Sequence, residues 1–131
     1  MSITLNQANR VLRATLKKAE ELNIKVSAAV VDVGGRLVAF QRMDGAIWAS
    51  AYGSQGKAVA SAAFGRTSGE MAARADQPTP RGIALAEGGH MIMGQGAVPL
   101  FRNGVLIGAC GVGGGTSQED EDCAKAGAEA L

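Results

Sequence analysis

The sequence predicts an α+β domain in which helices pack on an antiparallel sheet. Two pairs of short apolar segments, each pair joined by a glycine-containing turn, are typical of β-hairpins. Helical patterns precede, separate and follow the two hairpins, an order typical of an antiparallel sheet covered by helices. A chain of 131 residues has the usual size of one domain, so we expect residues 1–131 to share a single core.

The first two elements are a helix and a hairpin. A capping-box pattern at Thr4 begins a run of apolar residues at helical spacing, which predicts a helix ending near Leu22. Two apolar segments, 25–32 and 36–43, then flank a Gly-Gly pair. This arrangement predicts the first β-hairpin.

The middle of the chain is predicted to be helical and then irregular. Apolar residues at helical spacing predict a helix over 48–64, and a capping-box pattern at Thr67 predicts a short helix after it. Segment 75–96 contains two prolines and five glycines, so it is predicted to be a long loop with brief local structure. The apolar face of the first of these helices is marked by Trp48, Tyr52, Val59 and Ala63.

The last third carries the clearest local pattern. Asn103-Gly104 separates two apolar runs, 97–102 and 105–112, and favours a type I′ turn because both central residues accept positive φ. A glycine-rich turn then leads into a helix predicted to end near Ala130.

Composition excludes several classes of partner. The 13 basic and 12 acidic residues give a net charge of only +1 and are scattered, so a nucleic-acid interface is not expected. No apolar run is long enough to span a membrane and the N-terminus has no leader pattern, so we expect a cytoplasmic protein without a membrane partner. Cys110 and Cys123 lack metal-ligand spacing and are predicted to be buried, reduced thiols.

Three segments taken together resemble the GlcG/HbpS family, which also forms the C-terminal domain of PduO-type corrinoid adenosyltransferases. They are VSAAVVDVGGRLVAFQRMDGA over 26–46, GKAVASAAFGRTS over 56–68 and GACGVGGGTSQEDEDCAKAG over 108–127. The resemblance implies a profilin-like fold, with a five-stranded antiparallel sheet packed between helices, and symmetric homo-tetramers or octamers. It also implies binding of haem or another small molecule. Relatives encoded beside catabolic genes are suspected of processing small metabolites.

The glycine-rich turn before the last helix is the first candidate site. Gly113, Gly114, Gly115 and Thr116 present backbone N–H groups at a helix start, which can bind a carboxylate or phosphate. The alternative is a tight strand-to-helix turn that needs glycine only for its backbone. The Gly-Lys-Ser/Thr ending of a nucleotide-binding P-loop is missing.

Three charged residues in the family-like segments form the second candidate. Arg42 can clamp a carboxylate, with Asp44 orienting it or acting as a base. Lys57 lies among small apolar residues, where a partly desolvated amine can bind a carboxylate. We predict that the three side chains surround one pocket. The alternatives are a helix cap or ion pair for Asp44 and a lysine whose ammonium reaches water.

His90, the only histidine, is the candidate axial ligand for haem iron, with Met91 and Met93 nearby as soft ligands. A lone loop histidine is more often a surface residue. No Cys-x-x-Cys-His motif is present, so any haem would be bound non-covalently.

The leading hypothesis is therefore a homo-oligomeric protein that binds haem or another carboxylate-bearing small molecule. Two alternatives stay open: a small-metabolite hydrolase or isomerase, and an accessory module of a corrinoid or diol-dehydratase system. A serine triad is not expected, because Ser50, Ser54 and Ser61 lie outside a Gly-x-Ser-x-Gly motif.

Overall fold

The computed structural model describes all 131 residues. Its order of elements confirms the predicted helix, hairpin, helices, hairpin and helix, but the long loop predicted over 75–96 is wrong in part, because this segment contains a further helix. The elements are α1 Leu5–Glu21, β1 Ser27–Asp32, β2 Leu37–Arg42, α2 Ala49–Phe64, α3 Ser68–Ala72, α4 Pro78–Ala86, β3 Ala97–Arg102, β4 Val105–Gly113 and α5 Ser117–Glu129.

The sheet is antiparallel and has four strands, in the order β2-β1-β4-β3. The expectation of a fifth strand is therefore wrong. Part of the segment between α3 and β3 is helical instead. Helix α4 begins at Pro78, because proline has the φ angle of a first helical turn and needs no N–H partner there. Gly88, Gly89 and Gly96 follow with positive φ, which breaks the extended backbone that a strand requires.

The sheet lies between two helical layers. Ala28 and Val30 of β1 belong to a core cluster with Val11 and Leu12 of α1 and Cys123 of α5, so α1 and α5 cover one face. The opposite face packs on α2, where Val31 of β1 and Ala109 of β4 form a second cluster with residues of that helix. Alternate residues of β1 and β4 therefore point to opposite layers.

Small residues let α2 approach β4 closely. A Cβ on Gly111 would overlap the carbonyl oxygen of Ser54, and a Cβ on Gly113 would lie 3.0 Å from the carbonyl oxygen of Ser50. The Ser50 hydroxyl in turn lies 2.7 Å from the Ser27 hydroxyl of β1, which joins the helix to the sheet by a hydrogen bond. The position of α2 is thus set by glycine and serine rather than by large side chains.

The predicted turn and the helix caps at Thr4 and Thr67 are present, although only half of the capping box predicted at Thr67 forms. Asn103 and Gly104 have φ values of 50° and 77°, as a type I′ turn requires. Thr4 caps α1 in a full capping box with Gln7, and Thr67 accepts a hydrogen bond from a backbone N–H at the start of α3. None of the helices is long and apolar enough to cross a membrane.

Both cysteines are free and buried, as predicted. Burial raises the pKa of the Cys110 thiol to about 12 and that of the Cys123 thiol to about 11. Thiols with such values are almost entirely protonated near neutral pH, so neither is a reactive nucleophile in the folded chain.

Candidate functional site

A hollow lies between α2, the β1–β2 turn with the start of β2, and the residues at the end of α4, and we call this part of the surface the α2–β2 groove. Helix α2 packs over β4, β1 and β3 and makes few contacts with β2, so this edge strand is left largely uncovered by the helix. The hollow has a volume of about 490 Å³, within the size range of small-ligand sites. The hollow is lined by Val31, Gly35, Arg36, Leu37, Gln55, Val59, Ala86, Glu87 and His90.

This hollow is lined by His90 and by Arg36, a cation that no sequence motif identifies. The His90 side chain is exposed and no hydrogen bond within the chain engages its ring. The Arg36 guanidinium donates a hydrogen bond to a carboxylate oxygen of Glu87 at 2.7 Å across the hollow. The Arg36 side chain is largely exposed, so this ion pair contributes little to stability and a ligand carboxylate can replace Glu87.

The two methionines near His90 do not share its exposure. Met91 is buried in the cluster beneath α2, and Met93 is half-buried against the same cluster. Met91 therefore serves as packing in this structure. No group of three or more His, Cys, Asp or Glu side chains is placed to hold a metal ion.

Lys57 forms a buried ion pair. Its Nζ donates to a carboxylate oxygen of Asp120 in α5 at 3.1 Å, and the two residues are only 9% and 3% exposed. A Cβ on Gly96 would lie 2.5 Å from Nζ, so the chain packs directly on the ammonium group. The ammonium therefore has little access to bulk water and does not line the hollow that contains His90.

Asp120 connects this pair to the glycine-rich turn. Its second carboxylate oxygen accepts a hydrogen bond from the Gly115 N–H at 2.9 Å. Burial raises the pKa of the Asp120 carboxyl above its ordinary value, and the nearby Lys57 charge opposes that rise. One carboxylate thus holds α2, α5 and the turn together.

Two of the four amides expected to bind an anion already have partners within the chain. Gly115 donates to Asp120, and Thr116 donates to Glu119 at 2.9 Å within a capping box. Gly113 packs against α2, so this part of the turn also serves the close approach of the helix. Gly114, Gly115 and Thr116 still line a shallow hollow with Lys25, and an anion role for them stays a prediction.

The structure does not bring Arg42, Asp44 and Lys57 together. Arg42 and Asp44 are exposed, and neither makes a side-chain hydrogen bond or ion pair. Arg42 lies in β2, whereas Lys57 points from the opposite flank of α2, nearly 180° around the helix from Trp48. Because Lys57 is inside the domain and the other two are on its surface, one shared pocket does not form.

The serines of α2 are structural. Ser50 and Ser54 donate to backbone carbonyls one turn earlier, and Ser61 donates to the carbonyl of Arg66 at 2.6 Å. All three are buried, and none of these hydrogen bonds involves His90. They are thus not arranged as a nucleophile with a histidine base.

Comparison with known proteins assigns a family. The family model described as haem-degrading protein HbpS-like matches residues 3–129. Protein GlcG of Escherichia coli is 35% identical over 110 residues, covering 84% of this chain and 80% of GlcG.

Two solved structures share the whole fold. A double mutant of HbpS from Streptomyces reticuli is 29% identical with a TM-score of 0.88, and the match covers 100% of this chain and 88% of that one. The PduOC:heme complex is 26% identical with a TM-score of 0.87, covering 100% and 96% of the two chains.

Proposed function

The chain belongs to the family of HbpS-like proteins, and on that basis we propose that it binds haem or a related carboxylate-bearing small molecule without a covalent link. The binding site is the hollow of the α2–β2 groove, with His90 as the axial ligand of the iron and Arg36 as the partner of a carboxylate. The solved complex of PduOC with haem supports this choice of ligand.

One observation carries the proposal. The only imidazole of the chain, a guanidinium and an apolar wall formed by Val31, Leu37 and Val59 meet around one hollow. An imidazole nitrogen is a common axial ligand of haem iron, a guanidinium pairs with propionates, and apolar walls bury the ring. The buried Lys57 and the partnered amides of the glycine turn lack this combination.

The test is a titration of the protein with haemin, followed by the Soret band. His90→Ala should lose the histidine-ligated spectrum, and no second histidine exists to replace it. Arg36→Met should weaken binding about ten- to a hundredfold, which is the usual effect of losing a charge-assisted contact. Arg13→Met, on the exposed side of α1, is the matched control and should bind as the wild type does.

Two results would count against the proposal. A His90→Ala variant with an unchanged spectrum would remove this residue from the site. A wild-type protein that binds no haem would favour the alternative ligands, for which a thermal-shift screen of small carboxylates is the next measurement.

We also propose that the protein self-associates. Phe101 and Val105 on the second hairpin and Leu85 on α4 are exposed, and apolar side chains of this kind favour contacts between copies. Light scattering at micromolar concentration should give a multiple of the 13.3 kDa chain mass. A monomeric mass would refute this.

A further inference from the structure

The only tryptophan and the only tyrosine of the chain lie together on its surface. Trp48 is the N-cap residue of α2, and Tyr52 follows one turn later in the helix. They are 70% and 69% exposed, and their rings meet edge to face with centroids 6.1 Å apart. The start of α2 therefore presents the two largest side chains of the chain to solvent.

A tight connection places two opposite charges next to these rings in the chain. A backbone hydrogen bond of 3.1 Å closes a turn over residues 43–46, and Gly45 in this turn has a φ of 86°, as a type II turn requires. Asp44 lies in the turn, and Arg42 is the last residue of β2 directly before it. We call Arg42, Asp44, Trp48 and Tyr52 together the α2 entry surface.

Arg42 points to the side of the sheet on which α2 lies. It pairs with Ser27 in the register of the sheet, and the Ser27 hydroxyl lies 2.7 Å from the Ser50 hydroxyl in the first turn of α2. Residues directly opposite each other in an antiparallel pair direct their side chains to the same side. The cation at the end of β2 and the aromatic rings of α2 therefore share one side of the domain.

Neither charge of the α2 entry surface is neutralised within the chain. Arg42 and Asp44 are both exposed, and the three ion pairs of the chain involve other residues. A cation and an anion only two positions apart, each without a partner, are available to charges of another molecule.

This arrangement of charges is complementary to itself. In a twofold symmetric contact the same surface of both copies meets, so each contact between two different residues occurs twice. Arg42 of one copy can therefore pair with Asp44 of the other, and Asp44 of the first copy with Arg42 of the second. A second copy of the chain thus supplies both missing partners by symmetry alone.

The exposed rings have the area that an interface centre needs. Because an aromatic side chain buries about 150–250 Å² when it is covered, two rings that are 70% and 69% exposed offer roughly 200–350 Å². A stable protein interface covers about 800 Å² on each partner, so the two rings provide roughly a quarter of it or more. Tryptophan, tyrosine and arginine are also the residues that contribute most to binding energy at interface centres.

We propose that the α2 entry surface is a twofold contact between two copies of this chain. Trp48 and Tyr52 are buried at the centre of the contact, and Arg42 of each copy forms an ion pair with Asp44 of the other. This inference rests on the self-association proposed above, because it names a surface through which the copies meet.

The first test combines charge reversal with light scattering. Arg42→Asp and Asp44→Arg each place like charges opposite each other in the contact, so each variant alone should have at most half the mass of the wild-type assembly. An equimolar mixture of the two should recover the wild-type mass, because both ion pairs form again between unlike copies. Arg13→Asp on the exposed side of α1 makes the same change of charge and should keep the wild-type mass.

The second test uses the fluorescence of Trp48, which is free of other tryptophan signals. Diluting the wild type should shift the emission to longer wavelength as the contact dissociates and the indole becomes exposed. Tyr52→Ala should move this transition to about ten- to a hundredfold higher protein concentration. The substituted residues are exposed, and circular dichroism checks that each variant is folded.

The outcomes separate this inference from the proposed self-association. If Arg42→Asp and Asp44→Arg both keep the wild-type mass, the inference is wrong and the copies meet through another surface. If the single variants dissociate but their mixture does not recover the mass, the pairing across a twofold axis is overturned. If the wild type is a monomer, the inference and the proposed self-association both fail, and haem binding through His90 is judged by its own titration.

Discussion

The Lys57–Asp120 ion pair gives the sharpest test of how this domain is held together. Replacing Lys57 by Met retains most of the apolar stem and leaves the Asp120 carboxylate buried without its cation. At the observed 3.1 Å, the attraction between the two charges is about 5 kcal/mol for an effective dielectric constant of about 20. Breaking a buried pair from one side usually costs about 3–5 kcal/mol of unfolding free energy, and we expect Lys57→Met to fall in that range.

The assay is urea unfolding at pH 7, compared with a matched exposed pair in the same chain. The Lys125 Nζ lies 3.7 Å from a carboxylate oxygen of Glu121, and the Lys125 side chain is 55% exposed. Lys125→Met should therefore lower the unfolding free energy by less than about 0.5 kcal/mol. The double variant Lys57→Met/Asp120→Asn removes both buried charges. Its loss of unfolding free energy should be much smaller than the sum of the losses of the two single variants.

The pH dependence supplies an independent check. Burial raises the pKa of Asp120, so the folded chain holds this proton more tightly than the unfolded chain does, and ionising the carboxyl reduces stability as the pH rises through the folded pKa. Lys57 offsets that loss only while Asp120 is ionised. The difference in unfolding free energy between the wild type and Lys57→Met should therefore be largest near neutral pH. It should shrink as the pH falls and Asp120 becomes protonated. An equal urea midpoint for both proteins at pH 7 would refute this account.

Three further expectations concern the packing. Gly111→Ala should lower the unfolding free energy by about 1–3 kcal/mol in urea, because its methyl group would overlap the Ser54 carbonyl oxygen, and an unchanged midpoint would mean that α2 moves freely. Asn103→Val should lower it by about 1–3 kcal/mol, because a β-branched residue resists the observed φ of 50°, whereas Asn103→Gly should be tolerated. Cys110 and Cys123 should react with a thiol reagent at pH 8 only when the chain unfolds, and fast reaction of the native protein would contradict their pKa values of about 12 and 11.

The helices, hairpins and turns could be predicted because each depends on neighbouring residues. The capping box at Thr4 and the Asn103-Gly104 turn are examples in which a local pattern determines a local conformation. Helix α4 was missed because the glycines after it dominated the composition of segment 75–96, although the proline at Pro78 is a helix-start feature. The sequence pattern could therefore have identified this helix.

The partners of the candidate residues could not be predicted in the same way. Asp120 lies 63 residues after Lys57 in the sequence, and the two side chains meet only because α2 and α5 both pack against the sheet. The sequence does not identify Arg36 as a residue of the hollow for a similar reason. Arg36 lies in the β1–β2 turn, and its partner Glu87 lies at the end of α4, far away in the sequence. Contacts between distant segments depend on how layers pack, which a single sequence does not specify locally.

The apolar face of α2 shows how packing reverses a pattern-based interpretation. Trp48, Tyr52, Val59 and Ala63 were predicted as one face, and by hydrophobicity alone that face would be the buried one. Apart from Val59, these residues are exposed, and the helix instead buries a face that includes Ser50 and Ser54. Small side chains face the sheet because β4 presents glycines, and the large aromatic residues Trp48 and Tyr52 are left exposed.

The glycines of β4 therefore define the candidate site without lining its main hollow. Ala109, Gly111 and Gly113 alternate on the side that faces α2, and their small size allows the helix axis to lie close to β1 and β4. A larger residue at any of these positions would lift the helix, and the groove beside β2 would change its width. Residues 108–113, the start of the family-like segment 108–127, are thus connected to the residues of the hollow through the position of α2, although the two groups lie on different parts of the fold.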